Sequence, residues 1–435
     1  MRVSIKPSFA SGEVKAPPSK SMAHRLLICA ALGENVSEIY NVAFSDDIKA
    51  TLGALSALGA KCRALGNRVA VRGIDFQKTP SQINIDCREC GSTLRFIIPI
   101  CLLTGSAVKI TGSRKLLSRP LSVYEQICEE NGFDFENSGS EIRLCGKLTP
   151  GNYTVPGNIS SQFVSGLLFA LPMLDGASTV TVTKPIESLS YIKMTLEAMR
   201  RFGIDLKWND GKILIKGNCR YVSRGISVEG DYSNAAFFEA LNLVGGNVKV
   251  TGLNPDSLQG DRVYKKYFNE LKNGAAVINI EDCPDLGPVL FAAAAALGGG
   301  RFTGTARLKI KESDRGEAMR EELSKFGVHI TVTDNEIIVP DSEITAPKMP
   351  LSGHNDHRIV MALSVLLTKT GGVIDGAEAV KKSFPDFFKR LSEIGVEVNT
   401  NAMDMQRRCF DSRSRIDGRQ LRQSTQEARV SYFGD

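Results

Sequence analysis

Apolar and polar residues follow one another along this chain in a recurring order, which predicts a repeated unit of secondary structure. In each unit an amphipathic run with helical spacing ends at a glycine, and a short apolar strand, a polar turn and often a second strand follow. The glycine stands where the C-terminal end of a helix requires a positive φ angle. The six glycines in this position are Gly59, Gly132, Gly203, Gly274, Gly327 and Gly395.

The copy around Gly203 illustrates the unit. Residues 204–208 alternate apolar and polar side chains, as in a strand, and Asn209-Asp210-Gly211 predicts a tight turn into a second strand at 213–215. Six such copies predict an α/β (α+β) protein of two pseudo-symmetric domains, each with three helix-and-sheet units. An open solenoid is the alternative arrangement of the same units.

Length and composition favour more than one hydrophobic core. The chain has 435 residues, of which 42% are apolar, and three units per half place a division near residues 225–230. A ligand held by motifs from both halves would lie between them. Residues 401–435 contain seven arginines, no lysine and no clear periodicity, which predicts a disordered or poorly packed tail.

The charge pattern favours small anionic ligands over nucleic acid. The net charge of +6 is mild and the basic residues are scattered over the whole length. The first six residues lack the apolar core of a signal peptide, and no later segment has the apolar length of a membrane span, so we expect a cytoplasmic protein without membrane contact. Ten widely spread cysteines are typical of reduced thiols in such a compartment.

Several short runs combine basic residues with hydroxyl groups or glycine. Residues 308–315 contain three cations and two carboxylates, and comparable runs occupy residues 18–25, 91–95, 160–162, 355–358 and 381–385. Lysine and arginine beside such groups bind phosphate and carboxylate oxygens. A solvated helix face explains any single run, whereas the whole set favours an anionic ligand.

Two of these runs have the pattern of helix N-termini, where free N–H groups attract anions. Pro17-Pro18 precede Ser19-Lys20-Ser21, and Ser160-Ser161-Gln162 precede an apolar run. Asp285 precedes another apolar helix, where it is either a cap or, among cations, an ionised base. The four histidines lie in different contexts, so we expect no metal site. No P-loop, dinucleotide or serine-hydrolase motif is present, which argues against kinase, dehydrogenase and hydrolase functions.

The ordered motifs PSKSMAHR, GSTLR, SSQF, PD, KESDR, NDHR and KSFPDFF together resemble those of the 5-enolpyruvylshikimate-3-phosphate synthase family. The resemblance implies an inside-out α/β barrel in each domain and a hinge of two crossover segments. It assigns residues 1–17 together with 230–400 to one domain and residues 18–229 to the other. It also implies a monomer that transfers the enolpyruvyl group of phosphoenolpyruvate to the 5-hydroxyl of shikimate 3-phosphate, releasing phosphate without a cofactor.

The same resemblance assigns site residues by motif. Catalytic roles go to Asp285 as acceptor of the hydroxyl proton, Glu312 as donor to the methylene carbon, and Lys20. The residues expected to bind shikimate 3-phosphate are Lys20, Ser21, Arg25, Ser160, Ser161, Gln162, Ser188, Tyr191, Asp285 and Lys311. Those expected to bind phosphoenolpyruvate are Lys20, Gly91, Arg114, Gln162, Arg315, Arg358 and Lys382.

The chemistry of an enol ether agrees with such a set. Its C2 becomes electrophilic only when C3 gains a proton, so an acid and a base must act at different points, and fixed cations must stabilise the developing charge. Glu312 lies beside Lys311 and Arg315, which lower the pKa of its carboxyl and oppose a role as acid. Since water must be expelled, we expect the halves to close on binding shikimate 3-phosphate.

Three residues depart from the family pattern. Glu89 stands where an asparagine is usual, Cys90 follows it, and Arg307 stands where an asparagine is common in some members. Glu89 would weaken phosphate binding if it faces the site. Gly91 is retained, which predicts sensitivity to glyphosate, a mimic of phosphoenolpyruvate.

Three other functions would use parts of the same pattern. A related enolpyruvyl transferase that acts on UDP-N-acetylglucosamine typically has an early Lys-Asn pair, whereas Ser21 follows Lys20 here. A binding protein without catalytic turnover would keep the anion pockets, and Glu89 is the residue that favours this alternative. Nucleic-acid binding through residues 401–435 would make that tail essential, whereas a transferase would not need it.

Overall fold

The computed structural model describes residues 1–274 and 276–400. Buried apolar side chains collect in two clusters, one from residues 22–228 and one from residues 3–16 and 232–396. We call these the inserted half and the outer half. Two crossover segments join them side by side, because Ser19 N donates to Glu229 O (2.7 Å) and Asp231 N donates to Pro17 O (2.8 Å). The domain boundaries stay a prediction, which this pairing supports.

The chain begins with two strands of the outer half, β1 (Arg2–Ile5) and β2 (Ser11–Lys15). The inserted half follows, with α1 (Lys20–Ala31), β3 (Val36–Tyr40), α2 (Asp46–Ala57), β4 (Lys61–Leu65), β5 (Arg68–Arg72), β6 (Gln82–Asp86), α3 (Gly91–Thr104), β7 (Ala107–Thr111), α4 (Arg114–Leu117), α5 (Ser122–Asn131), β8 (Asp134–Asn137), β9 (Glu141–Cys145), β10 (Asn152–Pro156), α6 (Ser161–Ala170), β11 (Ser178–Thr183), α7 (Leu189–Arg201), β12 (Lys212–Ile215) and β13 (Gly225–Ser227).

The remainder of the outer half consists of α8 (Tyr232–Ala240), β14 (Asn247–Thr251), α9 (Tyr264–Lys272), β15 (Ala276–Asn279), α10 (Gly287–Leu297), β16 (Gly300–Thr303), α11 (Arg315–Ser324), β17 (Thr331–Val332), β18 (Glu336–Val339), β19 (Leu351–Ser352), α12 (His357–Thr370), β20 (Gly372–Asp375), α13 (Phe387–Glu393) and β21 (Val398–Thr400). Short 3-10 helices at Pro284–Leu286, Ala306–Ile310 and Ala377–Lys382 carry or flank predicted site residues.

The strands form six separate sheets within the described residues, in the orders β13-β3-β5-β4, β6-β7-β9-β8, β10-β11-β12, β14-β2, β15-β16-β18-β17 and β19-β20-β1-β21. The sheet of β6 to β9 shows the repeated unit. β6 and β7 are parallel and joined by α3, and β8 and β9 form a hairpin along β7. The buried pair Ile85 and Ile110 lies on the face of this sheet that belongs to the core. The predicted α/β class is therefore confirmed.

The glycine signal of the repeat is also confirmed, because all six predicted glycines have positive φ angles between 68° and 122°. One predicted strand is wrong. Residues 204–208 form no ladder, since β12 makes its hydrogen bonds with β11 and only Asn209 and Lys212 pair across the turn.

Three further expectations concern the rest of the chain. The tail predicted at 401–435 lies outside the described residues. No helix within residues 1–274 and 276–400 is both long enough and apolar enough to cross a membrane. Each cysteine in this part of the chain is a free thiol.

Candidate active site

Helices of the inserted half begin at the cleft between the halves. Ser19 caps α1 by accepting a hydrogen bond from Met22 N (3.3 Å), and Ser160 caps α6 by accepting from Gln162 N (3.3 Å). Both helix starts were predicted and are confirmed. Ser188 precedes α7 with a left-handed φ of 55° and makes no capping bond with its side chain, and its hydroxyl donates instead to Glu281 O (3.4 Å). The positive ends of these helices favour an anion there.

A cavity with an empty volume of about 830 Å³ lies between the halves. Six cationic side chains, three carboxylates and five serines line it. Twelve of the residues predicted from the sequence are brought together in its wall: Lys20, Ser21, Arg25, Gly91, Ser160, Ser161, Gln162, Ser188, Tyr191, Asp285, Lys311 and Glu312. Arg114, Arg315, Arg358 and Lys382 are not part of this wall.

One end of the cavity combines serine hydroxyls with two cations. Ser188 is fully buried, and Arg307 Nη1 donates to its Oγ (2.6 Å) from the outer half. Arg307 is itself buried. Its Nε makes no hydrogen bond within the described residues, and the Glu187 carboxylate lies 3.6 Å from it. Burial lowers the pKa of Lys311 to about 8. These cations lack full compensation by protein carboxylates, so this end of the cavity is suited to a doubly charged anion.

Arg25 is fixed in the wall beside this pocket. Its guanidinium donates to Thr195 Oγ1 (2.8 Å) and to the backbone oxygens of Ser21 (2.7 Å) and Tyr191 (3.1 Å). It also lies over the ring of Phe96, at 5.2 Å from the centroid. Burial lowers the pKa of Arg25 to about 10. A pre-oriented cation of this kind is suited to a carboxylate ligand.

A second part of the cavity wall is built around the start of α3. Lys20 Nζ pairs with Asp47 at 2.6 Å. Arg95 Nη1 donates to Gln162 Oε1 (2.9 Å), and Gln162 Nε2 donates to Ser92 Oγ (2.9 Å). These hydrogen bonds orient the Gln162 amide, and Lys20 and Arg95 both line the cavity. This part of the cavity is therefore suited to a second anion.

The arginine predicted for this part of the wall needs correction. Arg114 is the first residue of the short helix α4 and its side chain is exposed. Arg119 follows the end of α4 and lines the cavity. A Cβ atom added at Gly91 would lie 2.7 Å from Arg119 Nη1, so the glycine makes room for this guanidinium. Both arginines follow a serine in the sequence, and only the helix between them separates the two positions.

Asp285 lies at the centre of a cluster of ion pairs from the outer half. Its carboxylate pairs with Arg315 (2.9 Å), Arg358 (2.9 Å) and Lys311 (3.5 Å), and it accepts a hydrogen bond from Tyr191 OH (3.3 Å). Although burial opposes ionisation, these cations hold the pKa of Asp285 well below its usual range. Asp285 is thus held as a carboxylate, and Arg315 and Arg358 contact it without lining the cavity themselves.

Glu312 is bound in a similar way. Arg315 Nη2 donates to its carboxylate (2.7 Å), and Arg315 Nε pairs with the buried Asp356 (2.9 Å). Burial opposes ionisation of Glu312, but Arg315 and Arg119 hold its pKa well below the usual range. The carboxyl predicted as an acid is therefore ionised in this arrangement.

Lys382 is the fourth predicted residue outside the cavity wall. Its ammonium donates to Asn355 O (2.6 Å) and pairs with Glu89 of the inserted half at 2.5 Å. The contact joins two elements far apart in the chain, and the sequence alone gave no sign of it.

One set of potential metal donors lies near Lys20. Donor atoms of His24, Asp47 and Cys90 lie within 4.8 Å of one another. Each is already engaged, since Asp47 holds Lys20 and His24 Nδ1 meets Thr51 Oγ1 at 2.7 Å. Burial raises the pKa of the Cys90 thiol to about 12, so it keeps its proton. These donors support the architecture around Lys20 and do not form a free ligand set.

Sequence reasoning missed several residues of the wall. The polar ones are Asp47, Ser92, Arg95, Arg119 and Arg307. Ser92 and Arg95 belong to the motif GSTLR, and Arg95 falls one helical turn after Gly91, a spacing that places both on one face of α3. Asp47 resembles a residue at an ordinary helix start, and its pairing with Lys20 is visible only in three dimensions.

Comparison with known proteins accounts for this arrangement. Residues 6–391 match the family model described as EPSP synthase (3-phosphoshikimate 1-carboxyvinyltransferase). A 3-phosphoshikimate 1-carboxyvinyltransferase of Clostridium novyi (strain NT) is 39% identical, over 90% of this chain and 97% of its own length. That of Clostridioides difficile (strain 630) is 36% identical, over 91% and 98%.

A solved structure of EPSP synthase from Acinetobacter baumannii shares the fold, with a TM-score of 0.75 over 92% of this chain and 100% of its own, at 24% identity. The twelve predicted residues gathered in one cavity, the match along 6–391 and these relatives lead to one conclusion. The chain belongs to the EPSP synthase family.

Proposed function

We propose that the cavity between the halves is where this chain transfers the enolpyruvyl group of phosphoenolpyruvate to the 5-hydroxyl of shikimate 3-phosphate, releasing phosphate. The observation that carries this proposal is the wall itself, in which six cations and five serines surround two carboxylates at the centre and one beside Lys20. Two polyanionic substrates would neutralise this excess of positive charge.

The end formed by the serines fits shikimate 3-phosphate. Its 3-phosphate would accept hydrogen bonds from Ser160, Ser161 and Ser188 and pair with Lys311. Arg307 joins this set in our proposal, because its guanidinium already reaches Ser188. The carboxylate of the shikimate ring would pair with the pre-oriented guanidinium of Arg25 and accept from Ser21, with Tyr191 packed against the ring.

The end at α3 fits phosphoenolpyruvate. Its phosphate would lie against Lys20, Gly91, Gln162 and Arg119, which takes the place of Arg114 in the expected set. Arg315 and Arg358 remain the proposed partners of its carboxylate. Both now bind Asp285, so a second carboxylate would have to share or displace this contact.

Asp285 supports the role of base because it is ionised and faces the cavity. In the addition step, the 5-hydroxyl oxygen forms a bond to C2 of phosphoenolpyruvate, its proton passes to Asp285, and C3 receives a proton from Glu312. In the elimination step, C3 returns a proton to the Glu312 carboxylate and the bond from C2 to the phosphate oxygen breaks. Phosphate leaves with the electron pair of that bond, the proton held by Asp285 passes to it or to solvent, and Lys20 stabilises the remaining charge.

The low pKa of Glu312 requires a change before it can act as an acid. Arg315 is the cation nearest to it, at 2.7 Å. When the carboxylate of phosphoenolpyruvate pairs with Arg315, the guanidinium is shared and water is expelled, and both effects raise the pKa of Glu312. Binding of the second substrate would then prepare the acid. A monomeric state, cytoplasmic location and independence from cofactors remain part of the proposal.

Release of phosphate tests the function directly. Purified protein receives phosphoenolpyruvate with shikimate 3-phosphate, with UDP-N-acetylglucosamine, or with neither. We expect release only with shikimate 3-phosphate. Release only with the nucleotide sugar would replace the proposed substrate, and tight binding of shikimate 3-phosphate without any release would indicate a binding protein.

A further inference from the structure

The first turn of α7, in the inserted half, packs against a short segment of the outer half that opens the 3-10 helix Gly260–Val263. Ser190 lies directly over Gly260, and Tyr191 OH lies 3.2 Å from Asp261 Oδ2. We call this contact of Ser190 and Tyr191 with Gly260 and Asp261 the seam.

Gly260 leaves the room that the seam needs. A Cβ atom added there would lie 2.5 Å from Ser190 Oγ, 3.0 Å from Ser190 Cβ and 3.0 Å from Asp282 O. Carbon atoms in contact normally stay about 3.5 to 4.0 Å apart, so a methyl group does not fit. The φ angle of Gly260 is not positive, so its backbone conformation does not itself require glycine. The requirement comes from the neighbouring atoms, and two of these belong to the opposite half.

The outer side of the seam is fixed to a crossover segment. Gln259 is buried, its Nε2 donates to Gly230 O (2.8 Å), and its Oε1 accepts from Tyr232 N (2.9 Å). Gly230 lies in the second of the two segments that join the halves. Because the seam is so close to this connection, a small displacement at Gly260 becomes a larger one farther along the cleft.

The inner side of the seam leads to the proposed pocket for shikimate 3-phosphate. Ser188 and Tyr191 both come from the start of α7, and both meet residues of the outer half. Arg307 Nη1 donates to Ser188 Oγ (2.6 Å), and Tyr191 OH lies 3.3 Å from Asp285 Oδ2. The depth at which α7 docks on Gly260 therefore sets the distance between the two sides of this pocket.

We infer that Gly260 is a positioning residue for shikimate 3-phosphate, because its missing side chain lets α7 dock closely enough for both halves to hold the ligand at once. This inference rests on the proposed function and adds a residue to it. Neither Gly260 nor Ser190 lines the cavity, so neither touches the ligand. Gly260 acts through the placement of Ser188 and Tyr191.

A compensating pair of substitutions tests the seam. Gly260→Ala should raise both the Kd and the KM of shikimate 3-phosphate by about 10- to 100-fold, as expected for an overpacked contact. Ser190→Gly removes two of the three crowding atoms, so the double variant should bind to within about threefold of Ser190→Gly alone.

Two single variants are the controls. Gly53→Ala lies on the exposed side of α2, where an added Cβ meets no neighbouring atom within 4 Å, so we expect the Kd of the unmodified chain. Ser190→Gly alone loses only one long hydrogen bond to Asp282 O (3.4 Å) and should bind within about threefold of the unmodified chain.

Two results would overturn the inference. If Gly260→Ala weakens binding equally with Ser190 and with glycine at position 190, the added methyl group clashes only with Asp282, inside the outer half. If Gly260→Ala changes the Kd by less than about threefold, the seam does not position the ligand.

A second variant guards against a folding defect in Gly260→Ala, which thermal unfolding midpoints would reveal. Ser190→Val crowds the seam from the inserted half, because its branched side chain cannot turn both methyl groups away from Gly260. It should raise the Kd of shikimate 3-phosphate in the same way, and an unchanged Kd would refute the inference.

Small-angle scattering tests the seam without turnover. With shikimate 3-phosphate present, Gly260→Ala should have a larger radius of gyration than the unmodified chain, and the double variant should return to the radius of the unmodified chain. Equal radii in all three proteins would refute the role of the seam. If the unmodified chain binds shikimate 3-phosphate but releases no phosphate, the proposed function fails, while the binding and scattering comparisons still decide on the seam.

Discussion

Replacement of Arg307 by methionine tests the proposed pocket for the 3-phosphate. The change removes a buried guanidinium and keeps much of its unbranched apolar volume. Ser160, Ser161, Ser188 and Lys311 stay in place. We expect shikimate 3-phosphate to bind more weakly, while shikimate itself, which lacks the phosphate, binds as before.

The magnitude follows from the geometry at Ser188. Arg307 Nη1 lies 2.6 Å from Ser188 Oγ, so a phosphate bound at that hydroxyl would have its charge about 4 Å from the guanidinium. At the effective dielectric constant of a protein site, two unit charges at that distance attract by about 4 kcal/mol. Desolvation and the competing Glu187 reduce the net value to about 2 to 3 kcal/mol, or a roughly 30- to 150-fold rise in Kd.

Titration calorimetry with both ligands measures this effect. Arg301→Met is the control, since Arg301 pairs with Glu336 on the surface of β16, outside the cavity wall. Glu187→Gln should act in the opposite direction, with binding about two- to fivefold tighter, because it removes a carboxylate that competes for Arg307. The three variants are thus expected to weaken, leave unchanged and strengthen the binding of shikimate 3-phosphate.

Two results would refute the reasoning. A change of less than threefold in the Kd of shikimate 3-phosphate would mean that Arg307 does not contact the phosphate. An equal loss for shikimate and its phosphate would mean that the substitution deforms the cavity as a whole. Rescue of binding by Arg307→Lys, to within about tenfold, would support a role through charge.

Three other predictions follow from the same site. Asp285→Asn should lower kcat by about 10² to 10⁴ while the Kd of shikimate 3-phosphate changes far less, and a nearly normal rate of phosphate release would remove Asp285 as the base. Glyphosate should inhibit the unmodified chain in competition with phosphoenolpyruvate, and full activity in excess glyphosate would contradict this expectation. Gly91→Ala should raise both the KM for phosphoenolpyruvate and the inhibition constant of glyphosate, because the added Cβ lies 2.7 Å from Arg119 Nη1. Asp261 is buried and accepts a hydrogen bond from Tyr191 OH (3.2 Å). Burial and the neighbouring Asp285 raise the pKa of the Asp261 carboxyl to about 7. The folded chain therefore binds the Asp261 proton more tightly than the unfolded chain does, and the unfolding free energy falls as the pH rises from about 4 to 7. Asp261→Asn should flatten that decline, and unfolding midpoints that depend on pH equally in both proteins would refute it.

The parts of the site that the sequence predicts well depend on local chemistry. Ser19 and Ser160 cap helices through bonds to residues two or three positions away, and this pattern is visible without a fold. The glycines of the repeat have positive φ angles because each follows the C-terminal end of a helix, and this requirement is local to that end. Such signals predict the helix starts at which several of the proposed binding residues lie.

The parts that the sequence predicts poorly depend on distant contacts. Arg114 and Arg119 have similar neighbours, and only the direction of α4 decides which one reaches the cavity. Lys382 lies among the expected motifs, but its ammonium is directed by Glu89, 293 positions earlier in the numbering. The carboxylate partners of Arg315 likewise come from three separate segments.

The pairing of β1 with β20 and β21 sets an order for folding during synthesis. Arg2 pairs with Asp375 and Val3 with Thr400, so the first strand has no partners until nearly the whole described chain has been made. At typical rates of translation this takes about 20 to 80 s, while the inserted half has every strand of its three sheets by residue 227. The inserted half can therefore complete its sheets first, and we expect Val3 and Ile5, the buried apolar residues of β1, to stay exposed to chaperones or to misassembly until the last strands have been made.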